Sequence, residues 1–153
     1  MSEHLICPLR PAEQSLHEFR AKVRDFVRPG LSLDVCDDLL LALGEMVTNA
    51  IVYGGGSRVI VHIGLHQDRV TATVRDGGQG FDVQRMVEAW PPRVDAEGGR
   101  GIYVTAQVMD SVAIHAAGGT VVHMSRALTE DYDRSGPRCV WCSPPVARFA
   151  HGR

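Results

Sequence analysis

No segment of this sequence approaches the roughly 20 consecutive apolar residues that a membrane-crossing helix requires, and the stretch from Met1 to Gln14 lacks a cationic start leading into an apolar core. The expectation is a cytoplasmic protein with no membrane partner. An excess of one charge is missing as well: 16 Lys and Arg stand against 18 Asp and Glu, for a net charge of -2. Such a chain has no overall field to gather phosphate backbones, which argues against direct contact with nucleic acid. Cysteine is sparse, four residues without an export signal, so the thiols are expected to be reduced. Cys7 and Cys36 lie in apolar surroundings and read as core residues. Cys139 and Cys142 form a single C-x-x-C pair, which even with His151 falls short of a full zinc ligand set. Two familiar nucleotide-binding loops are also absent. No G-K-[ST] follows a glycine-rich stretch and no G-x-G-x-x-G occurs, which excludes a Walker A loop and a dinucleotide fingerprint.

What is present suffices for one core. In 153 residues, 44% are hydrophobic and 22% charged, enough for a single domain and short for two. The expected organisation is a domain over residues 1–126 and a tail over 127–153. That tail carries Pro137, Pro144 and Pro145 without periodicity and reads as loosely ordered.

Periodicity supplies the elements. Leu5 to Leu9 reads as a short strand, and Leu16, Phe19, Val23 and Phe26 recur at helical spacing until Pro29-Gly30. Ser32, followed by Asp34, Asp37 and Asp38, predicts the start of a second helix that runs to about Tyr53, where Gly54-Gly55-Gly56 stops it. Val59, Val61, Ile63 and Leu65 alternate with polar residues, as do Val70, Ala72 and Val74 after a polar turn, which predicts an antiparallel hairpin. A short helix is expected over Val83 to Trp90 and a mobile connection after Pro91-Pro92. A third helix follows from Gly101, burying Ile102, Ala106 and Met109, and two strands fit Val112 to His115 and Thr120 to Met124. This order predicts an α+β fold, a two-layer sandwich with helices on one face of a mainly antiparallel sheet.

Three segments carry chemistry. Glu45 and Asn49 are one helical turn apart on the second helix, next to Leu41, Met46, Val47 and Ala50, which read as its largely buried side. A carboxamide there is costly unless satisfied, and a hard cation such as Mg²⁺ accepts an amide oxygen, while Glu45 is near enough to orient or deprotonate a hydroxyl. By itself, E-x-x-x-N recurs by chance and fits plain hydrogen bonding within a helix. Val74-Arg75-Asp76-Gly77-Gly78-Gln79-Gly80 runs from a strand into an acid and glycines. Glycine lets backbone approach a planar ring and Asp accepts from an exocyclic amine, although Asp-Gly also suits a simple hairpin turn. Gly98-Gly99-Arg100-Gly101-Ile102 opens a helix, where free N–H groups and a guanidinium suit phosphate, or where the chain simply caps a helix after a flexible loop.

In this order, Glu45-Met46-Val47-Thr48-Asn49-Ala50, Asp76-Gly77-Gly78-Gln79-Gly80, Gly99-Arg100-Gly101 and Gly119-Thr120-Val121-Val122 resemble the ordered boxes of the GHKL ATPases, whose fold is the Bergerat sandwich. The resemblance spans roughly Leu31 to Met124. It implies ATP and Mg²⁺ as cofactors, with Asn49 on the metal and Asp76 on the adenine amine. It also implies Gly78 and Gly80 at the base pocket, Thr120 in adenine recognition, and Gly99, Arg100 and Gly101 near the phosphates. Glu45 is then the candidate general base, and Phe81 to Gly98 the lid over the nucleotide.

Within that family, a domain with its first box near the N-terminus resembles the bacterial anti-sigma factor serine/threonine kinases. That resemblance implies phosphoryl transfer from Mg-ATP to a STAS-type anti-anti-sigma protein, sequestration of a sigma factor, and a homodimer. The alternative is a non-catalytic ATP-binding regulator, since a fold and a pocket do not guarantee transfer. His17-Glu18-Phe19-Arg20 looks like a phosphoacceptor motif, but Ala21-Lys22-Val23 follows where Pro is usual, and His17 reads as a solvent-facing helix residue. Tyr53 stands where the group often has His, as tolerated packing or as a changed edge of the site.

Overall fold

Ser32 starts the longest element. In extended conformation it accepts a hydrogen bond from the Val35 N–H at 3.4 Å, and Asp34 sits in the first turn of the helix that follows. The computed structural model describes residues 2–10, 16–79, 100–116, 118–129, 139–143 and 147–150. In it the predicted second helix, α2, runs Leu33–Tyr53, and α1 spans Leu16–Val27. At the far end of α2 the Gly54 N–H returns to the Ala50 carbonyl at 2.8 Å. Gly55 and Gly56 then take φ of 64° and 79°, a region open to glycine, and the helix stops. Val35, Leu39, Leu43, Met46, Val47 and Ala50 form its buried stripe. Leu41, expected on that stripe, is instead 40% exposed. It lies two positions from both Leu39 and Leu43, which on a helix is the opposite side.

The sheet is built from β1 (Glu3–Leu9), β2 (Val59–Leu65), β3 (Arg69–Asp76), β4 (Ser111–Ala116), β5 (Thr120–Ala127), β6 (Cys139–Ser143) and β7 (Ala147–Ala150). Their spatial order is β1-β2-β3-β5-β4-β6-β7, and every pairing is antiparallel except β4 with β6. Helix α3 (Arg100–Val108) lies between β3 and β4 in sequence and packs on α2 and β4, while α2 packs on β2, β3 and β5. Alternation decides the faces. Val59, Val61 and Ile63, then Val70, Ala72 and Val74, then Val112 and Ile114, then Val122 and Met124 all point into the helical layer and are buried. The outer face carries polar pairs beside the exposed Ile6 and Ile60: His4 Nδ1 lies 3.0 Å from His62 Nε2, and Thr73 Oγ1 lies 3.0 Å from His123 Nδ1. A sheet buried on one side only is the expected two-layer α+β sandwich.

One expectation changes and three fall outside view. The stretch after Ala127, expected to be loosely ordered, contributes β6 and β7, because a strand recruited by a neighbour's free edge needs no periodicity of its own. The helix expected over Val83 to Trp90, the connection after Pro91, and the lid from Phe81 to Gly98 lie outside the described residues. His17 is exposed on α1, as a solvent-facing residue should be.

Three inward positions of the sheet break the apolar rule: Asp76 and Thr120 at the strand ends, and Arg126. Arg126 on β5 is 2% exposed, and its Nη2 donates to Asp38 Oδ2 of α2 at 2.7 Å. Asp110, before β4, accepts the Ala127 N–H at 2.6 Å through Oδ2, while its Oδ1 sits 4.0 Å from Arg126 Nη1. The cluster thus ties α2, β5 and the start of β4 together. Because Asp38 is 29% exposed, water offsets part of its loss. Asp38→Asn is expected to lower stability by about 1–2 kcal/mol, read from the urea midpoint at unchanged slope.

Candidate functional site

The site lies where the second half of α2 meets α3 and the ends of β3 and β5. Glu45 and Asn49 occupy the shoulder of α2, half-buried between its apolar stripe and solvent. Neither side chain makes a hydrogen bond among the described residues. Facing them is Gly101, the second residue of α3. A methyl group added there would lie 2.8 Å from Glu45 Oε2 and 3.4 Å from Asn49 Nδ2. The backbone at the start of α3 therefore approaches the carboxylate and carboxamide directly, with only the free end of Glu45 standing in the way of a side chain at position 101. Two segments that the sequence associates only by order are here in contact.

The second half of the site surrounds Asp76. This residue ends β3, is 8% exposed, and pairs across the ladder with Thr120, also 8% exposed, at the start of β5. Asp76 Oδ1 accepts the Gly78 N–H at 2.9 Å, and Oδ2 has no partner among the described residues. A methyl at Gly78 would meet the Gly54 backbone at 2.7 Å, one at Gly54 would lie 3.3 Å from Asp76 Cβ, and one at Gly119 would lie 2.3 Å from the Asp76 carbonyl oxygen. The end of α2, the loop after β3 and the start of β5 thus close around one acid. The hairpin-turn reading of Asp76-Gly77 does not hold, since β3 pairs with β2 and β5 and its chain continues to α3.

Among the predicted residues, Glu45, Asn49 and Gly101 are therefore brought together, as are Asp76, Gly78 and Thr120, with Gly54 packed against the second group. Arg100 is exposed at the first position of α3. Gly80 and Gly99 lie outside the described residues. Tyr53 is 56% exposed, which removes the packing explanation for it. Two participants were missed from sequence: Gly54, read only as a helix stop, and Ser57, whose hydroxyl links Gly54 to Gly77. Cys7 and Cys36 stay out of the chemistry. Burial pushes the thiols of Cys7 and Cys36 above their ordinary value, with Lys22 pulling the first and Arg24 and Arg28 the second back, so both remain protonated core residues. No group of three or more metal-ligating His, Cys, Asp or Glu occurs among the described residues.

A mainly antiparallel sheet covered on one face by helices, with its polar site at a helix flank and two strand ends instead of a phosphate-gripping loop, is the arrangement of the GHKL class of ATP-binding domains. The profile of the histidine kinase-like ATPase domain matches residues 8–126, and the chain belongs to that family. It is similar to the serine-protein kinase RsbW of Bacillus licheniformis, with 32% identity over 114 residues that cover 67% of this chain and 71% of the relative. It is 30% identical over 112 residues to the protein of the same name in Bacillus subtilis, covering 66% and 70% of the two chains. Among solved structures, the RsbU and RsbW domains of Rv1364c from Mycobacterium tuberculosis superpose with a TM-score of 0.61 at 20% identity. That match covers 82% of this chain and 32% of the longer one, and shows the shared fold.

Proposed function

We propose that this chain is an ATP-dependent serine/threonine protein kinase that also acts as an anti-sigma factor, phosphorylating a STAS-type anti-anti-sigma protein in a partner-switching system. The observation that carries the reading is the approach of Gly101 to Glu45 and Asn49, which puts a candidate base, a candidate metal ligand and the start of a helix in one place. Kinship with proteins named serine-protein kinase supports the same reading. Cytoplasmic location and a homodimer are parts of it; among the described residues no helix is long and apolar enough to cross a membrane.

Each residue has a task under this reading. Asp76 accepts the adenine amine through the oxygen that Gly78 does not use, which favours an amino purine over an oxo purine. Thr120, its cross-strand neighbour, lines the same position. Arg100 and the first N–H groups of α3 face the phosphates, where a cation and a helix start both stabilise negative charge. The half-buried carboxamide of Asn49 and carboxylate of Glu45, unpartnered among the described residues, fit a Mg²⁺ ion with its waters, and Asn49 would hold it. Bound there, the ion would neutralise charge on the phosphates. Glu45 takes the proton from the attacking Ser or Thr hydroxyl of the partner.

Incubation of the purified protein with γ-labelled ATP and STAS-domain proteins from its own cell tests the reading. Label on a STAS serine or threonine is expected, and tight ATP binding with no label on any of them would favour the non-catalytic regulator. For the pocket, Asn49→Ala is expected to weaken Mg-ATP about tenfold or more by removing a ligand. Asp76→Asn should reduce the preference for ATP over GTP, because the amide presents a donor as well as an acceptor. Titration calorimetry reads both, and unchanged affinities in the two variants would rule out these assignments.

A further inference from the structure

Ser57 sits four residues beyond the end of α2 and belongs to none of the nucleotide-binding motifs, yet it touches two of the segments that shape the site. Its Oγ donates to the Gly54 carbonyl at 2.7 Å and accepts the Gly77 N–H at 3.0 Å. The Ser57 N–H donates to the same Gly54 carbonyl at 3.2 Å. One hydroxyl, used once as donor and once as acceptor, therefore bridges the glycine turn after α2 and the first residue after Asp76. The next residue, Gly78, presses on the Gly54 backbone so closely that a methyl group would stand 2.7 Å away, and its N–H holds Asp76 Oδ1 at 2.9 Å.

From this chain of contacts we infer that Ser57 is a positioning residue of the nucleotide site: it locks the loop after β3 onto the end of α2 and so orients the carboxylate of Asp76. The inference rests on the ATP-binding reading and adds a residue to it. The physical case is one of preorganisation. Gly77 and Gly78 have no side chains to hold them, and glycine loses more conformational freedom on ordering than any other residue. Without the bridge, that ordering would have to occur when the ligand binds, and the cost would appear as lost affinity. The effect should therefore fall on nucleotide binding, while the transfer step, carried by Glu45 earlier on α2, is reached at saturation.

The test uses the full chain and ATP itself, with Ser57→Ala and Ser57→Thr compared with wild type. Two hydrogen bonds of ordinary strength, partly replaced by water, correspond to a rise of about five- to tenfold in the Kd for Mg-ATP in Ser57→Ala. A matching rise in KM for ATP with kcat nearly retained is expected, and Ser57→Thr, which keeps the hydroxyl, should recover most of the affinity. Amide hydrogen exchange at Gly77 and Gly78 should accelerate in Ser57→Ala while exchange in β2 and β3 stays slow, which separates a loosened loop from an unfolded protein. Ser57→Ala binding ATP as tightly as a wild type that binds well would overturn the role of Ser57 alone. Equal losses in Ser57→Ala and Ser57→Thr, or exchange that accelerates throughout the sheet, would also overturn it. A wild type with no affinity for ATP would instead bring down the functional reading together with the inference.

Discussion

Glu45→Gln is expected to slow phosphoryl transfer about 10²- to 10⁴-fold while leaving Mg-ATP affinity within about threefold of wild type. Glutamine keeps the length and shape of the side chain, so the shoulder of α2 and its clearance against Gly101 are retained. What it lacks is a group able to take a proton. Carboxylate and carboxamide both offer oxygen to a water or a cation, which is why binding changes less than transfer. Single-turnover measurement at saturating ATP, paired with calorimetry on the same preparation, separates the two quantities. A rate within a few-fold of wild type would remove Glu45 as the general base. A parallel collapse of affinity would make it a binding residue. Because Glu45 Oε2 is the free end of a flexible side chain, it is also the atom that would have to move if a side chain were placed at Gly101.

Gly119→Ala should destabilise the fold by about 3–5 kcal/mol and abolish nucleotide binding with it. Two costs coincide at this residue. Its φ is 123°, a conformation that residues with a side chain rarely adopt, and its added methyl would stand 2.3 Å from the Asp76 carbonyl oxygen and 3.2 Å from Gly77 Cα. The obstacle is backbone on the adjoining strand and loop, so no rotamer change can relieve it. Either β5 shifts away from the end of β3, or the pairing of Asp76 with Thr120 opens. Gly118 provides the control. It too has positive φ, 63°, but a methyl there meets nothing within 4 Å, and Gly118→Ala should cost only about 1–2 kcal/mol. Urea denaturation of both variants reads the difference, and equal midpoints would show that the contact with Asp76 is not what requires glycine at position 119.

Local chemistry made the elements legible. Ser32 as a cap, the glycines after Tyr53 and the alternation of Val59, Val61 and Ile63 each bias a few consecutive residues, and each appears in the structure as read. Leu41 is exposed although apolar, because its angle on the helix puts it opposite the stripe, and apolar character alone does not specify burial. Strands β6 and β7 were illegible for a different reason: their order comes from pairing with β4 and with each other. Arg126 was illegible as a core residue because a buried guanidinium depends on Asp38 and Asp110, which belong to other elements.

The same division holds at the site. Local pattern is enough to put Glu45 and Asn49 on one shoulder of a helix, Asp76 at the end of a strand and Gly101 in the first turn of a helix, because each follows from backbone periodicity over neighbouring residues. It takes the packed fold to bring Gly101 against Glu45, to stand Thr120 beside Asp76, and to join α2 through Gly54 and Ser57 to the loop holding that acid. Those contacts link residues far apart along the chain. They exist because burying the apolar faces of helices and sheet against one another brings the polar ends of those elements together, which no local preference encodes.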